Sequence, residues 1–295
     1  MDFFYNLLVE QYGEDLKEKI VDGLSFDRVL SFRVNTIKSS SDEVESVLNS
    51  ENIEFSKVSW YNDGYVINDS TFKDKIQMLD IYKDGKIYFQ SLSSMIPPIV
   101  LEPRENENIL DMAAAPGSKT TQIACISGNK SFITACEKNK IRCDRLKYNI
   151  EKQGAKNTYV MNVDSRNLDD MFKFDKILLD SPCSGSGTID LRDENIGKKF
   201  SMELIERSSK LQYNLLDKAI KLLKPGNEIV YSTCSVLKNE NEDIIEKIVK
   251  NGRVEVVPIE LSGDIPKLPV KIEGTICVMP NRLYEGFFVA KLRKV

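Results

Sequence analysis

The pattern of apolar and polar positions changes character near residue 90. Residues 1–30 carry apolar residues at helical spacing and predict one or two short amphipathic helices. Between 31 and 88 the elements are short and mixed. FRVNTIK (32–38) reads as a strand, Ser41-Asp42 start a helix from Glu43 to Leu48, and strands are expected around 55–60, 64–68 and 86–89. Asn62-Asp63-Gly64 and Asp84-Gly85-Lys86 read as hairpin turns, because these residues tolerate the backbone angles of tight turns.

Beyond residue 90, apolar strands alternate with helices. NILDMAA (108–114) is followed by a helix from about 118, SFITACE (131–137) by a helix over Lys138 to Gln153, and NTYVMNVD (157–164) and DKILLDS (175–181) continue the series. A helix from Met202 to Leu223 precedes EIVYSTCS (228–235), and VEVVPI (254–259) and GFFVAKL (286–292) close the pattern. Continuous apolar strands between helices mean a mostly parallel sheet covered on both faces. The fold class expected is α/β with a Rossmann-like sheet, and the last two strands should include an antiparallel one. The division expected is a small α+β domain at 1–88 and the sheet domain at 89–295.

Composition narrows the chemistry. Hydrophobic residues make up 41% and charged residues 29% of the chain, as in ordinary globular proteins. No apolar run is long enough to span a bilayer, and Met1 to Tyr12 lacks the basic start of a secretion signal, so a cytoplasmic protein is expected. The formal charge of −4 argues against a chain that coats nucleic acid through bulk charge, although it leaves room for a local basic groove. Lys138, Lys140, Arg142, Arg145 and Lys147 cluster at helical spacing, which reads first as a solvated face.

Two counts exclude more. The chain has no histidine, which removes Ser-His-Asp and Cys-His hydrolases and every histidine-based metal site. Its six cysteines, at 125, 136, 143, 183, 234 and 277, show no zinc spacing, so no metal is expected. A functional cysteine should then be a nucleophile or an acid/base group.

The loop after the 108–114 strand, DMAAAPGSKTTQ (111–122), has small residues at Ala113, Ala114 and Ala115, a turn at Pro116-Gly117, and a helix opened by Ser118 and Lys119. Unpaired N–H groups at such a helix start suit a carboxylate. Glu137 ends the next strand, where a carboxylate grips ribose hydroxyls in nucleotide-binding folds. Asp164 and Asp180 end the two strands after it and extend the same edge. The glycine spacings of NAD sites and of P-loops are absent. S-adenosyl-L-methionine, which carries no phosphate and ends in an amino acid, fits the loop better.

Cys183 in DSPCSGSGT (180–188) and Cys234 in YSTCS (231–235) each follow a strand at that edge. Neighbouring strands lie about 4.8 Å apart, so the two thiols are expected in one pocket. Methylation of cytosine at carbon 5 needs such groups. A thiolate that adds to carbon 6 makes carbon 5 nucleophilic, and Asp180 is placed to assist at the ring nitrogen or the amino group. A base must afterwards remove the carbon-5 proton; the second cysteine, a carboxylate or a water could do so. An exocyclic-amine methyltransferase, with a D/N-P-P-Y loop near 180–183, is the rival enzyme, but it has no use for Cys234. An RNA-binding or ribosome-assembly factor that has lost catalysis is the non-enzymatic rival.

From FRVNTIK (32–38) through QSLSSMIPP (90–98) to FFVAKL (287–292), and above all in DMAAAPGSKT, DSPCSGSGT and YSTCSVLKNENE (231–242), the sequence resembles the Sun/Nop family of RNA (cytosine-5) methyltransferases. It looks most like the short archaeal tRNA members. The resemblance implies that Cys234 attacks carbon 6 and that Cys183 assists product release. It implies that Ala113 to Lys119, Glu137, Arg142, Asp164 and Asp180 hold the cofactor, and that Lys119 lies near the methyl donor and the base. Ala113 and Ser118 depart from the family's Cys-Ala-Ala-Pro-Gly-Gly-Lys, and Cys277 stands where the family has an arginine. By the same resemblance 31–88 is an RNA-docking element, with Arg33 as an RNA contact. The expected partner is RNA, in particular tRNA, bound by a monomer at an opened or single-stranded cytosine.

Overall fold

The computed structural model describes residues 2–193, 195–196 and 200–295. The chain packs as two compact units. One comprises Met1–Arg28, Leu179–Glu260 and Ile265–Val295; the other comprises Val29–Leu178 and Leu261–Asp264. Packing therefore groups the first helices with the carboxy-terminal half. The cause is a set of polar ties: Gln11 Nε2 and Tyr12 OH donate to the Val236 carbonyl at 3.2 and 2.7 Å, and Val236 follows Cys234 by two residues.

The first unit opens with α1 (Asp2–Tyr12) and α2 (Glu14–Ser25). In the second unit, β1 (Leu30–Val34) is followed by α3 (Ser41–Ser50), β2 (Phe55–Val58), β3 (Tyr61–Ile67), α4 (Phe72–Met78), α5 (Asp80–Lys83) and β4 (Ile87–Phe89). These strands form an antiparallel sheet in the order β2-β3-β1-β4. Phe32, Val34, Val44, Leu48, Tyr65 and Ile67 are its core, with Phe32 and Tyr65 stacked at 5.2 Å. Ser40 caps α3 by accepting from Glu43 N at 3.3 Å. The β2–β3 turn falls at residues 59–60, and Asn62-Asp63-Gly64 lie inside β3. Gly64 serves close packing there: a Cβ would sit 3.2 Å from Val58 Cβ. Asp84-Gly85 do turn the chain, but from α5 into β4.

The same unit continues with α6 (Leu92–Leu101), β5 (Asn108–Asp111), α7 (Ser118–Ile126), β6 (Phe132–Cys136), α8 (Lys140–Gln153), β7 (Thr158–Met161) and β8 (Phe174–Asp180). The order is β8-β5-β6-β7 and every one of these pairings is parallel, the Rossmann-like arrangement expected. Ile109, Leu110, Ile133, Ala135, Ile177 and Leu178 are buried, which is why these strands read as continuous apolar runs. Asn139 caps α8 by accepting from Arg142 N at 3.1 Å, and Gly154 ends it in the left-handed conformation at φ 74°.

Leu179 and Asp180, the last residues of β8, belong to the first unit. There α9 (Met202–Leu222), β9 (Leu223–Thr233), α10 (Glu242–Val249), β10 (Val254–Val257), β11 (Lys267–Leu268), β12 (Ile276–Val278) and β13 (Phe287–Lys294) follow. The order is β11-β12-β13-β9, and β13 is antiparallel to β9, β12 and β10. The antiparallel closing strand is thus present. Among the described residues no helix is long and apolar enough to cross a membrane.

Candidate active site

In the second unit the loop after β5 is tightly tied. Ala114 N donates to the Cys136 carbonyl at 2.9 Å, Gly117 N to the Ala114 carbonyl at 2.7 Å, and the Ala115–Pro116 bond is cis. Gly117 holds φ at 106°, a conformation that disfavours a side chain, and offers α7 no side-chain cap. Asp111 is buried and accepts from Thr120 Oγ1 at 2.6 Å, which locks the strand end to the helix start.

The carboxylates expected to hold a nucleoside lie in well-ordered surroundings. Glu137, only 4% exposed, accepts from Asn139 N at 2.7 Å, and its other oxygen lies 3.5 Å from Arg142 Nη1. Arg142 Nη2 also donates to the Ala115 carbonyl at 2.8 Å, so one guanidinium joins the carboxylate to the loop. Asp164 is paired with Arg166 at 2.6 Å, and hydrogen bonds from that arginine hold its carboxyl below the usual range. Lys119 is buried and donates to Ser94 Oγ at 2.8 Å.

The small-residue loop, the helix start without a side-chain cap and the buried Glu137 fit the amino-acid tail and ribose of S-adenosyl-L-methionine.

Arg33, expected to contact RNA, has its side chain turned inward. It is fully buried, and its guanidinium donates to Gln90 Oε1 at 2.9 Å, Thr121 Oγ1 at 2.6 Å and the Ser118 carbonyl at 3.1 Å, with the Tyr88 ring 5.1 Å away. Both faces of β1 are covered, so an alternating strand pattern gave no sign that this cation points inward. Its work is to tie β1 to the first turn of α7.

In the first unit the two cysteine loops lie side by side. Ser181 N donates to the Ser232 carbonyl at 2.8 Å and Gly187 N to the Cys234 carbonyl at 3.0 Å. Cys183 Sγ and Cys234 Sγ are 2.9 Å apart, both partly exposed and both free of disulfides. The hydrogen bond with Cys234, and then burial, push the Cys183 thiol well above its ordinary value. Asp180 accepts from Ser232 Oγ at 2.7 Å. Cys183, Cys234 and Asp180 are therefore assembled in one unit, while Lys119, Glu137, Arg142 and Asp164 belong to the other.

Sequence reading missed the supports of the thiols. Glu240 is fully buried and accepts from Ser184 N, Ser184 Oγ and Ser235 Oγ at 2.7, 2.5 and 2.7 Å. Gln212, from α9, donates to the Pro182 carbonyl at 3.0 Å, and Asn241 Nδ2 donates to the Ser235 carbonyl at 2.9 Å. The run Asn239-Glu240-Asn241-Glu242 looks like a polar helix start, and only its place in the YSTCSVLKNENE motif hinted at more. Cys277 is likewise buried, with its Sγ 3.7 Å from Tyr12 OH, and offers no surface for RNA.

The family model described as 16S rRNA methyltransferase RsmB/F matches residues 98–293. The ribosomal RNA small subunit methyltransferase F of Shewanella amazonensis is 37% identical over 278 residues, covering 90% of this chain and 58% of that protein. The protein of the same name from Vibrio vulnificus is 33% identical over 305 residues, covering 98% and 64%. The chain spans less than two thirds of the length of these curated relatives. Among solved structures, a methyltransferase homolog protein from Pyrococcus horikoshii is 32% identical with a TM-score of 0.85, each chain covered over 100%. NSun6 from Pyrococcus horikoshii with SFG is 25% identical with a TM-score of 0.86, covering 99% of this chain and 97% of that one. With residues 98–293 under one family model, the chain belongs to the family described as 16S rRNA methyltransferase RsmB/F.

Proposed function

We propose that this protein is an S-adenosyl-L-methionine-dependent RNA methyltransferase that acts on carbon 5 of cytosine through a covalent cysteine adduct. The observation that carries the reading is the thiol pair, 2.9 Å apart in two loops that the fold ties together. Membership of the family and the neighbour described with SFG support the cofactor. When bound, S-adenosyl-L-methionine supplies an electrophilic methyl group. Ala113 to Gly117 and the first N–H groups of α7 would receive its carboxylate, Glu137 and Asp164 its nucleoside, with Arg142 fixing Glu137 and the loop. In the unit of the loop, Lys119 would lie toward the methyl donor; in the unit of the thiols, Asp180 would lie toward the base.

The residues of the chain do the rest. Cys234, as thiolate, donates an electron pair to carbon 6 and forms a sulfur–carbon bond; the ring electrons pass to carbon 5, which becomes the nucleophile for the methyl group that bound S-adenosyl-L-methionine would supply, its sulfonium becoming a neutral thioether. Asp180 assists by hydrogen bonding at the ring nitrogen or the amino group. A base then removes the carbon-5 proton, that electron pair restores the ring double bond, and Cys234 leaves. Cys183 suits this last stage. Its proton is held chiefly by the interaction with Cys234, and that hold weakens once the Cys234 sulfur is bonded to carbon. Cys183 then passes its proton to solvent water, and the thiolate left behind accepts the one from carbon 5.

For the RNA class, the relatives named ribosomal RNA small subunit methyltransferase F favour small-subunit rRNA. A second reading, tRNA, rests on the resemblance of the motifs to short archaeal members of the family. Bisulfite sequencing of rRNA and tRNA from cells with and without this protein decides between them. Loss of one 5-methylcytosine is expected, and an unchanged map in both RNAs overturns the proposed reaction.

A further inference from the structure

We propose that Glu240 is a positioning residue for both thiols: its buried carboxylate clamps Ser184 and Ser235, the residues that follow Cys183 and Cys234, and so fixes the spacing of the two sulfurs. The inference rests on the cysteine chemistry proposed above.

The symmetry of the arrangement carries it. Each cysteine is followed by a serine, and both serines donate to the same oxygen, Glu240 Oε2, at 2.5 and 2.7 Å. The other oxygen takes Ser184 N at 2.7 Å and Gln212 Nε2 at 3.3 Å. Four donors on two oxygens fill the acceptor capacity of a carboxylate. Ser235 has one hydroxyl proton and gives it to Glu240, so Ser186 Oγ, 2.7 Å away, must be the donor to Ser235. Ser186 Oγ in turn accepts from Val236 N at 3.0 Å, and Ser235 Oγ from Leu237 N at 3.1 Å. The two loops are thus laced by hydrogen bonds that end on one carboxylate. Tyr231 OH anchors the residue itself by donating to the Glu240 carbonyl at 2.6 Å.

A buried carboxylate is costly to desolvate unless its partners offset it. That expense is out of place for mere loop closure, which apolar packing would achieve. It suits a site where an error of about 1 Å in an attacking atom can cost on the order of a hundredfold in rate. Glu240 also contributes, behind the Cys234 hydrogen bond and burial, to holding the proton on Cys183.

The test uses Glu240→Gln in the full chain, with Ser184→Ala and Ser235→Ala beside it. The spacing of the sulfurs is read by the affinity of phenylarsine oxide, which needs two close thiols, with Cys183→Ala as the single-thiol control. Glu240→Gln should bind the arsenical at least tenfold more weakly. It should lose about thirtyfold or more in kcat, with KM for RNA and Kd for S-adenosyl-L-methionine within about threefold. Each serine variant should lose less, and Ser184→Ala/Ser235→Ala should approach Glu240→Gln without exceeding it, because both serines act through one carboxylate. Wild-type arsenical affinity and kcat in Glu240→Gln overturn the proposal. If Glu240→Gln does not fold, the same two readings on the serine variants decide. A wild-type chain that methylates no RNA, yet whose arsenical affinity still falls in Glu240→Gln, leaves the clamp standing and overturns the proposed reaction alone.

Discussion

Cys183 Sγ lies 2.9 Å from Cys234 Sγ, although 51 residues separate the two in the chain. A single hydrogen between the sulfurs makes their roles unequal, since one thiol donates while the other accepts. The hydrogen bond with Cys234, and then burial, raise the Cys183 thiol, and the proposed mechanism has Cys234 attack.

Cys234→Ser should therefore abolish labelled methyl transfer to RNA, by a factor on the order of a thousand or more. Cys183→Ala should still attack but release poorly. An RNA–protein adduct that survives denaturing electrophoresis is expected with Cys183→Ala and absent from Cys183→Ala/Cys234→Ala. Methyl transfer that persisted in Cys234→Ser would sink the nucleophile assignment.

Arg33 should behave as a buried structural cation. Arg33→Ala leaves Gln90, Thr121 and the Ser118 carbonyl without their shared donor, and each buried acceptor left unsatisfied costs roughly 1–3 kcal/mol. Arg33→Lys should recover only part, since one ammonium cannot reproduce the planar fork. Urea denaturation checks the loss. RNA affinity of the folded fraction should stay within about twofold, and a stable variant with weakened RNA binding would contradict the burial argument.

Much of this was legible because buried parallel strands leave a plain trace. The runs ending at Asp111, Glu137 and Asp180 are continuous apolar segments, and both thiols follow such runs. What failed shares one cause: a side chain's type does not say which way it points. Gly64 reads as a turn residue but fills a close contact at Val58. Arg33 reads as an RNA contact and Glu240 as part of a polar helix start, and both are fully buried with hydrogen-bond partners that include residues far away in sequence. The partners of Glu240 are 5 to 56 residues distant, beyond any local pattern.

Cofactor affinity should depend on Glu137 more than on Asp164. Glu137 is buried and steadied by Asn139 N and Arg142, whereas Asp164 is more exposed and already paired with Arg166. Glu137→Gln should weaken S-adenosyl-L-methionine binding about tenfold or more, or ~1.4 kcal/mol. Arg142→Ala should weaken it too, by freeing both Glu137 and the Ala115 carbonyl. Isothermal titration calorimetry measures both, and unchanged affinity in Glu137→Gln would remove that residue from the cofactor site.

Alkaline pH should unfold the protein through its buried thiols. Burial, followed by the charges of Asp111 and Asp164, pushes Cys136 from 9.0 up to about 12, and burial pushes Cys277 to about 12 as well. A thiol whose pKa is raised by folding holds its proton more tightly in the folded state. Its contribution is complete below pH 9.0, the ordinary thiol value, and is lost as the pH rises toward 12. Each such thiol steepens the decline by up to about 1.4 kcal/mol per pH unit. Cys136→Ala should lower Tm modestly at pH 7, because it leaves a small void at a fully buried position. Above pH 9 its Tm should fall less steeply than that of the wild type. Differential scanning fluorimetry from pH 7 to pH 11 compares the two, and parallel curves would show that Cys136 does not titrate on unfolding.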